Sequence, residues 1–106
     1  MATGKEFVDF ILDQLSGLPG VRTRAMMGEY VLYYQEKVVG GLYDNRLLVK
    51  PVSSALALVK NPVLEPPYPG AKPLLLIENV EDRKFLTDIV KTVAAQLPAP
   101  KPKKSK

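Results

Sequence analysis

Residues Val21–Lys50 read VRTRAMMGEYVLYYQEKVVGGLYDNRLLVK, and this stretch decides the fold. From Val21 the pattern has period two: Val21, Thr23, Ala25 and Met27 alternate with Arg22, Arg24 and Met26. Strands put successive side chains on opposite faces, so this is strand patterning. Gly28-Glu29 punctuates it. Tyr30 to Tyr34 is aromatic and β-branched, which suits a second strand. Gln35-Glu36 reads as a turn and Lys37 to Tyr43 as a third strand. Asp44-Asn45 is a two-residue hairpin turn, and Arg46 to Lys50 is a fourth strand stopped by Pro51. Connections this short favour an antiparallel meander. Gly40-Gly41 inside the third strand marks a bulge, a bend or a helix packed on bare backbone.

The flanks supply helices. Thr3-Gly4-Lys5-Glu6 fits a capping box, followed by Phe7, Val8, Ile11, Leu12 and Leu15 at helical spacing. The expected helix runs from Gly4 to Ser16 and is stopped by Gly17 and Pro19-Gly20. Beyond the meander, Ser53 or Ser54 caps a short helix, Ala55 to Lys60. Asn61 to Pro73 holds five prolines, too many for either regular element. Leu74 to Ile77 is a short buried strand. Asn79 caps a last helix whose stripe is Phe85, Leu86, Ile89, Val90, Val93 and Leu97, with Pro98 after it. The order α-β-β-β-β-α-β-α predicts an α+β, two-layer sandwich: a mainly antiparallel sheet with helices on one face.

Composition narrows the chemistry. The chain has 106 residues, 15 Lys+Arg, 11 Asp+Glu, and no Cys, His or Trp. Without Cys there is no disulfide framework, thiolate zinc site or cysteine nucleophile. Without His there is no Ser-His-Asp triad or imidazole ligand. No catalytic residue, metal or cofactor is therefore expected. No apolar run reaches the roughly 20 residues that span a bilayer, and Met1 to Lys5 lack the basic-then-apolar pattern of a secretory signal, so none is expected. The expected compartment is the cytoplasm, with no membrane contact. The net charge of +4 sits entirely in Pro98–Lys106, which holds Lys101, Lys103, Lys104 and Lys106 and no acid. The remainder is charge-balanced.

The segment Arg24-Ala25-Met26-Met27-Gly28-Glu29-Tyr30-Val31-Leu32-Tyr33 resembles the Arg-x-Met-Phe-Gly-Gly-Tyr-Gly-Leu-Tyr signature of the TfoX N-terminal domain family. Leu42 to Lys50 is similar to that family's second block, a hairpin ending in Lys. The opening helix and Pro69-Gly70-Ala71-Lys72-Pro73 before a strand also fit, so the resemblance covers about Phe7 to Leu97. Met27 stands where Phe is usual and Glu29 where Gly is usual. The resemblance implies residues 1–97 as one stand-alone domain, and composition makes 98–106 an expected disordered Pro/Lys-rich tail. Full-length members are competence regulators with a second, C-terminal domain. The resemblance therefore implies a non-catalytic regulatory or protein-interaction module linked to transcription regulation, with a protein partner and a monomer or homodimer.

An alternative is nucleic-acid binding. Arg22 and Arg24 share a strand face, as do Arg46 and Lys50 on the fourth strand and Lys37 and Tyr43 on the third. If the register aligns these faces, Arg, Lys, Tyr33 and Tyr43 together would hold phosphates and stack bases. The four tail lysines would add weak, salt-dependent contact. The plain alternative is a solvated face with cross-strand ion pairs. Tyr68, among the prolines of the long loop, is a further candidate binding residue. Asp9 and Asp13, one helical turn apart, read as solvated charge.

Overall fold

The structure, a computed structural model, describes residues 3–97. The expectation for the tail concerns residues outside those described. Helix α1 (Lys5–Gln14) leads into β1 (Val21–Met26), β2 (Glu29–Tyr34), β3 (Lys37–Tyr43) and β4 (Arg46–Val49). Then follow α2 (Ser53–Leu58), β5 (Leu64–Glu65), β6 (Leu74–Ile77) and α3 (Arg83–Gln96). All pairings are antiparallel, in the order β1-β2-β3-β4-β6-β5. The fold is α+β, as the period switch predicts.

Three two-residue turns build the meander. Met27-Gly28, Gln35-Glu36 and Asp44-Asn45 all have positive φ at both positions. That is the type I′ signature, whose twist matches that of paired strands. Only Gly28, Asp44 and Asn45 are residues that favour this conformation. Met27, Gln35 and Glu36 adopt it against their own preference, held there by the strands on each side.

The core lies between the helices and one sheet face. Val8, Ile11, Leu86, Ile89, Val90 and Val93 pack against Leu32, Val39, Leu42, Leu47, Val49, Leu75 and Ile77. One irregularity sets which side chains face it. Leu32 pairs with Gly40 but Tyr33 with Val38, leaving Val39 as the extra residue of a β-bulge. The bulge inverts the alternation, so Lys37 and Tyr43 do not share a face, contrary to the simple count. The Lys37 ammonium donates to the carbonyls of Ala94 (2.9 Å) and Leu97 (3.3 Å), a cation at the C-terminal end of α3. Tyr43 points to the opposite side. Gly40 is required here: a Cβ would collide with the Leu48 carbonyl oxygen and stand 2.6 Å from Val49 Cα.

The caps differ from expectation. The N-cap of α1 is Gly4, not Thr3, and no side chain caps it. Thr3 is buried and serves the sheet, as described below. Asp82 rather than Asn79 caps α3, its carboxylate accepting from the Phe85 N–H at 3.0 Å. Neither Ser53 nor Ser54 caps α2. The Gln96 side-chain oxygen instead accepts from the Ser54 N–H at 2.6 Å. The proline-rich loop contains an unanticipated element. Leu64-Glu65 pairs with Leu74-Leu75 as a two-residue edge strand, fitted between Pro62 and Pro66.

Candidate binding face of the sheet

The buried apolar side chains of the three helices all join the core cluster, so among the described residues no helix covers the second face of the sheet. The register places the predicted residues on this open face. Arg22 is opposite Tyr33, Arg24 opposite Val31, Val31 opposite Gly41, Gly41 opposite Leu48, and Tyr43 opposite Arg46. Lys50, just past β4, follows Arg46 and Leu48 in the same alternation. Arg22, Arg24, Tyr33, Tyr43, Arg46 and Lys50 thus share one face: the spacing pairs Arg22 with Arg24 and Arg46 with Lys50, and the register brings the strands' faces together.

They are not equally available. The Arg22 guanidinium lies 4.2 Å from the Tyr33 ring centroid and donates to Glu36 at 3.2 Å. Arg46 is committed to structure. It donates to Glu65 (2.6 Å) and to the carbonyls of Tyr43 (3.2 Å) and Pro67 (3.5 Å), tying β5 and the proline loop onto the face. Arg24 is exposed and Lys50 half-buried, and neither has an ion-pair partner among the described residues. Asp9 and Asp13 pair with Lys5 (3.2 Å) and Arg83 (3.4 Å), the solvated charge expected of them.

Tyr43 folds back over Gly41, whose absent Cβ would stand 2.7 Å from the Tyr30 carbonyl and press on the Tyr43 ring. Tyr68 meets Tyr43 edge to face at 6.5 Å between centroids and remains 58% exposed. Burial, the neighbouring Tyr68 and the Glu29 charge push the Tyr43 phenol above its ordinary pKa. Between the β3–β4 turn and the loop lies a cleft of about 310 Å³ lined by Glu29, Asp44, Arg46 and Pro66 to Pro69 with Tyr68.

Glu29 is a site residue that the spacing did not single out. Its Oε1 lies 2.6 Å from Thr3 Oγ1 and accepts from the Asp44 N–H at 3.1 Å. Thr3 Oγ1 is also 3.0 Å from the Leu42 carbonyl and accepts from the Asn45 N–H at 3.3 Å. Its single proton serves one acceptor at a time, and the shorter contact favours the carboxylate. Burial raises the Glu29 pKa, but the hydrogen bonds from Thr3 and Asp44 outweigh it and hold the carboxyl below its ordinary value. With the Gly4 N–H donating to Asn45 Oδ1 (2.9 Å), this network fastens the start of α1 to two hairpin turns. The signal in the sequence was an acidic residue where the TfoX-type signature that this segment resembles has Gly.

The arrangement is that of an α+β module with one sheet face that no helix among the described residues covers, the proline loop lying over its Tyr43–Arg46 end. Among the described residues no helix is long and apolar enough to cross a membrane, and no cluster of acidic side chains has the make-up of a metal site. Over 107 aligned positions the chain is 44% identical to an uncharacterised 12.7 kDa protein from the trpE 5′ region of Spirochaeta aurantia. The match takes in all of this chain and 93% of that protein, so the chain belongs to the same family. No protein-family model and no solved structure matches it.

Proposed function

We propose that this protein is a non-catalytic regulatory or protein-interaction module of the TfoX N-terminal type, acting in the cytoplasm through the open face of its sheet. The observation that carries the reading is the face itself: the half-buried Val31, Tyr33, Val38 and Leu76, ringed by Arg24, Lys50 and Tyr68, without a covering helix among the described residues. Mixed apolar and cationic surface with an exposed tyrosine is typical of protein contact sites. The two blocks that resemble the TfoX signature, Arg24–Tyr33 and Leu42–Lys50, fall in the first and third hairpins of this same sheet. The test is retention of cellular proteins at physiological salt by the native chain and by the Arg24→Ala/Tyr33→Ala/Tyr68→Ala variant. The reading expects a protein held by the native chain and lost by the variant. Identical sets for both would contradict it.

A second reading, nucleic-acid binding, is favoured by Arg24 and Lys50 lying on the same face as Tyr33. The balanced charge of residues 1–97 and the engagement of Arg22 and Arg46 by carboxylates weigh against it. On this reading, trimming Pro98–Lys106 weakens DNA affinity and flattens its salt dependence. No measurable affinity before trimming would refute it.

A further inference from the structure

The two edges of the sheet are built differently. β5 has two residues, between Pro62 and Pro66, and is too short to template another strand. β1 runs six residues in unbroken register with β2, without proline or bulge. The Gln35 N–H donates to the Gly20 carbonyl at 3.1 Å, which fixes the phase of the ladder. Hydrogen-bonded and non-bonded pairs alternate in an antiparallel ladder. The backbone groups of Arg22, Arg24 and Met26 therefore turn toward β2, and those of Val21, Thr23 and Ala25 point away from the sheet. This rim is a row of donors and acceptors at the margin of the open face.

Charge selects what fits it. A second copy joined rim to rim, antiparallel, keeps residues of one face opposite each other. Every register that pairs most of β1 then sets an arginine, Arg22 or Arg24, against an arginine of the other copy, and like charges directly opposite are unfavourable. An acidic strand meets the opposite situation. Arg24 has no ion-pair partner among the described residues, and Met26, in the same row, is 48% exposed.

We propose that β1 is a docking edge for an extended acidic segment of a partner protein, added antiparallel as a further strand. One carboxylate stands opposite Arg24, a second competes with Glu36 for Arg22, and an apolar residue stands opposite Met26. The proposal rests on the interaction-module reading and names the partner's chemistry. Main-chain hydrogen bonds to Thr23 and Ala25 supply sequence-independent affinity, and the arginines supply the choice of partner.

The experiment is a titration of the full chain, followed by backbone amide spectra and amide exchange, with an extended peptide alternating glutamate and threonine. The same peptide with lysine for glutamate is the counterpart. Ala25→Pro deletes an N–H that points away from β2, which an edge strand tolerates. Arg24→Glu, an exposed exchange, provides a second variant independent of backbone effects. The glutamate peptide is expected to bind, to slow exchange at Thr23 and Ala25, and to weaken with salt. Ala25→Pro removes binding, and Arg24→Glu weakens it about tenfold while admitting the lysine peptide. Absence of binding by the glutamate peptide, or equal binding of both peptides, would overturn the proposal. So would binding unchanged in Ala25→Pro with shifts at Tyr33 and Tyr68 alone, an outcome that leaves the sheet-face reading standing.

Discussion

Arg46 and Glu65 meet at 2.6 Å across 19 residues of sequence, and through them the proline loop is held against the sheet. Both side chains are partly buried, and Arg46 also donates to the Tyr43 and Pro67 carbonyls. Arg46→Ala is expected to cost about 1–2 kcal/mol, more than an exposed ion pair contributes, because two carbonyl contacts are lost with it. Urea denaturation of Arg46→Ala, Glu65→Ala and the double variant measures it. The coupling is expected near 0.5–1 kcal/mol, with faster proteolysis of the 61–73 segment in each single variant.

Gly40 and Gly17 make a paired test of the bulge. A Cβ on Gly40 stands 2.6 Å from Val49 Cα, a backbone atom that cannot rotate away, whereas one on Gly17 meets nothing within 4 Å. Gly40→Ala is expected to destabilise by about 3 kcal/mol or to prevent folding. Gly17→Ala should stay within about 0.5 kcal/mol of the native chain. Thermal unfolding separates them.

Asp82 and Asn79 test the capping assignment. Asp82→Ala removes the hydrogen bond to the Phe85 N–H and is expected to cost about 1 kcal/mol. Asn79 offers α3 only its backbone carbonyl, to the Asp82 N–H, so Asn79→Ala should be within about 0.5 kcal/mol of neutral. Equal effects in chemical denaturation would contradict the assignment.

Glu29 gives the fold an acid-sensitive tie. Its pKa is lower folded than unfolded, so its contribution is complete above the unfolded value of about 4.5 and is lost as pH falls through the folded value. Glu29→Gln should be less stable than the native chain at neutral pH, and the difference should shrink on acidification below that value. Thr3→Val removes the donor from Glu29 and should flatten the native chain's own decline over the same range. Denaturation midpoints between pH 3 and 7 check both.

The meander was legible because its signals are local: period two, short turns and a terminating proline. That Arg22 shares a face with Arg24, and Arg46 with Lys50, followed from spacing, since no bulge interrupts β1 or β4; that the two pairs share one face depends on the register through β2 and β3, which spacing does not carry. Lys37 and Tyr43 were misread together because Val39 adds a residue whose effect on parity depends on pairing with β2. Thr3 looked like a cap because the local pattern could not register Glu29 and Leu42, 26 and 39 residues away. β5 was hidden because Pro62 and Pro66 argue against a strand, and only β6 beside it reveals the pairing. Long-range partners, rather than local preference, account for each miss.

We place partner contact on the helix-free face of the sheet, with β1 at its margin. Hydrogen–deuterium exchange of the chain alone and in complex with a retained partner tests this most directly. Slowed exchange is expected in β1 and in the segment carrying Tyr68, with α1 and α3 unchanged. Protection confined to the helices, with β1 exchanging as in the free chain, would contradict it.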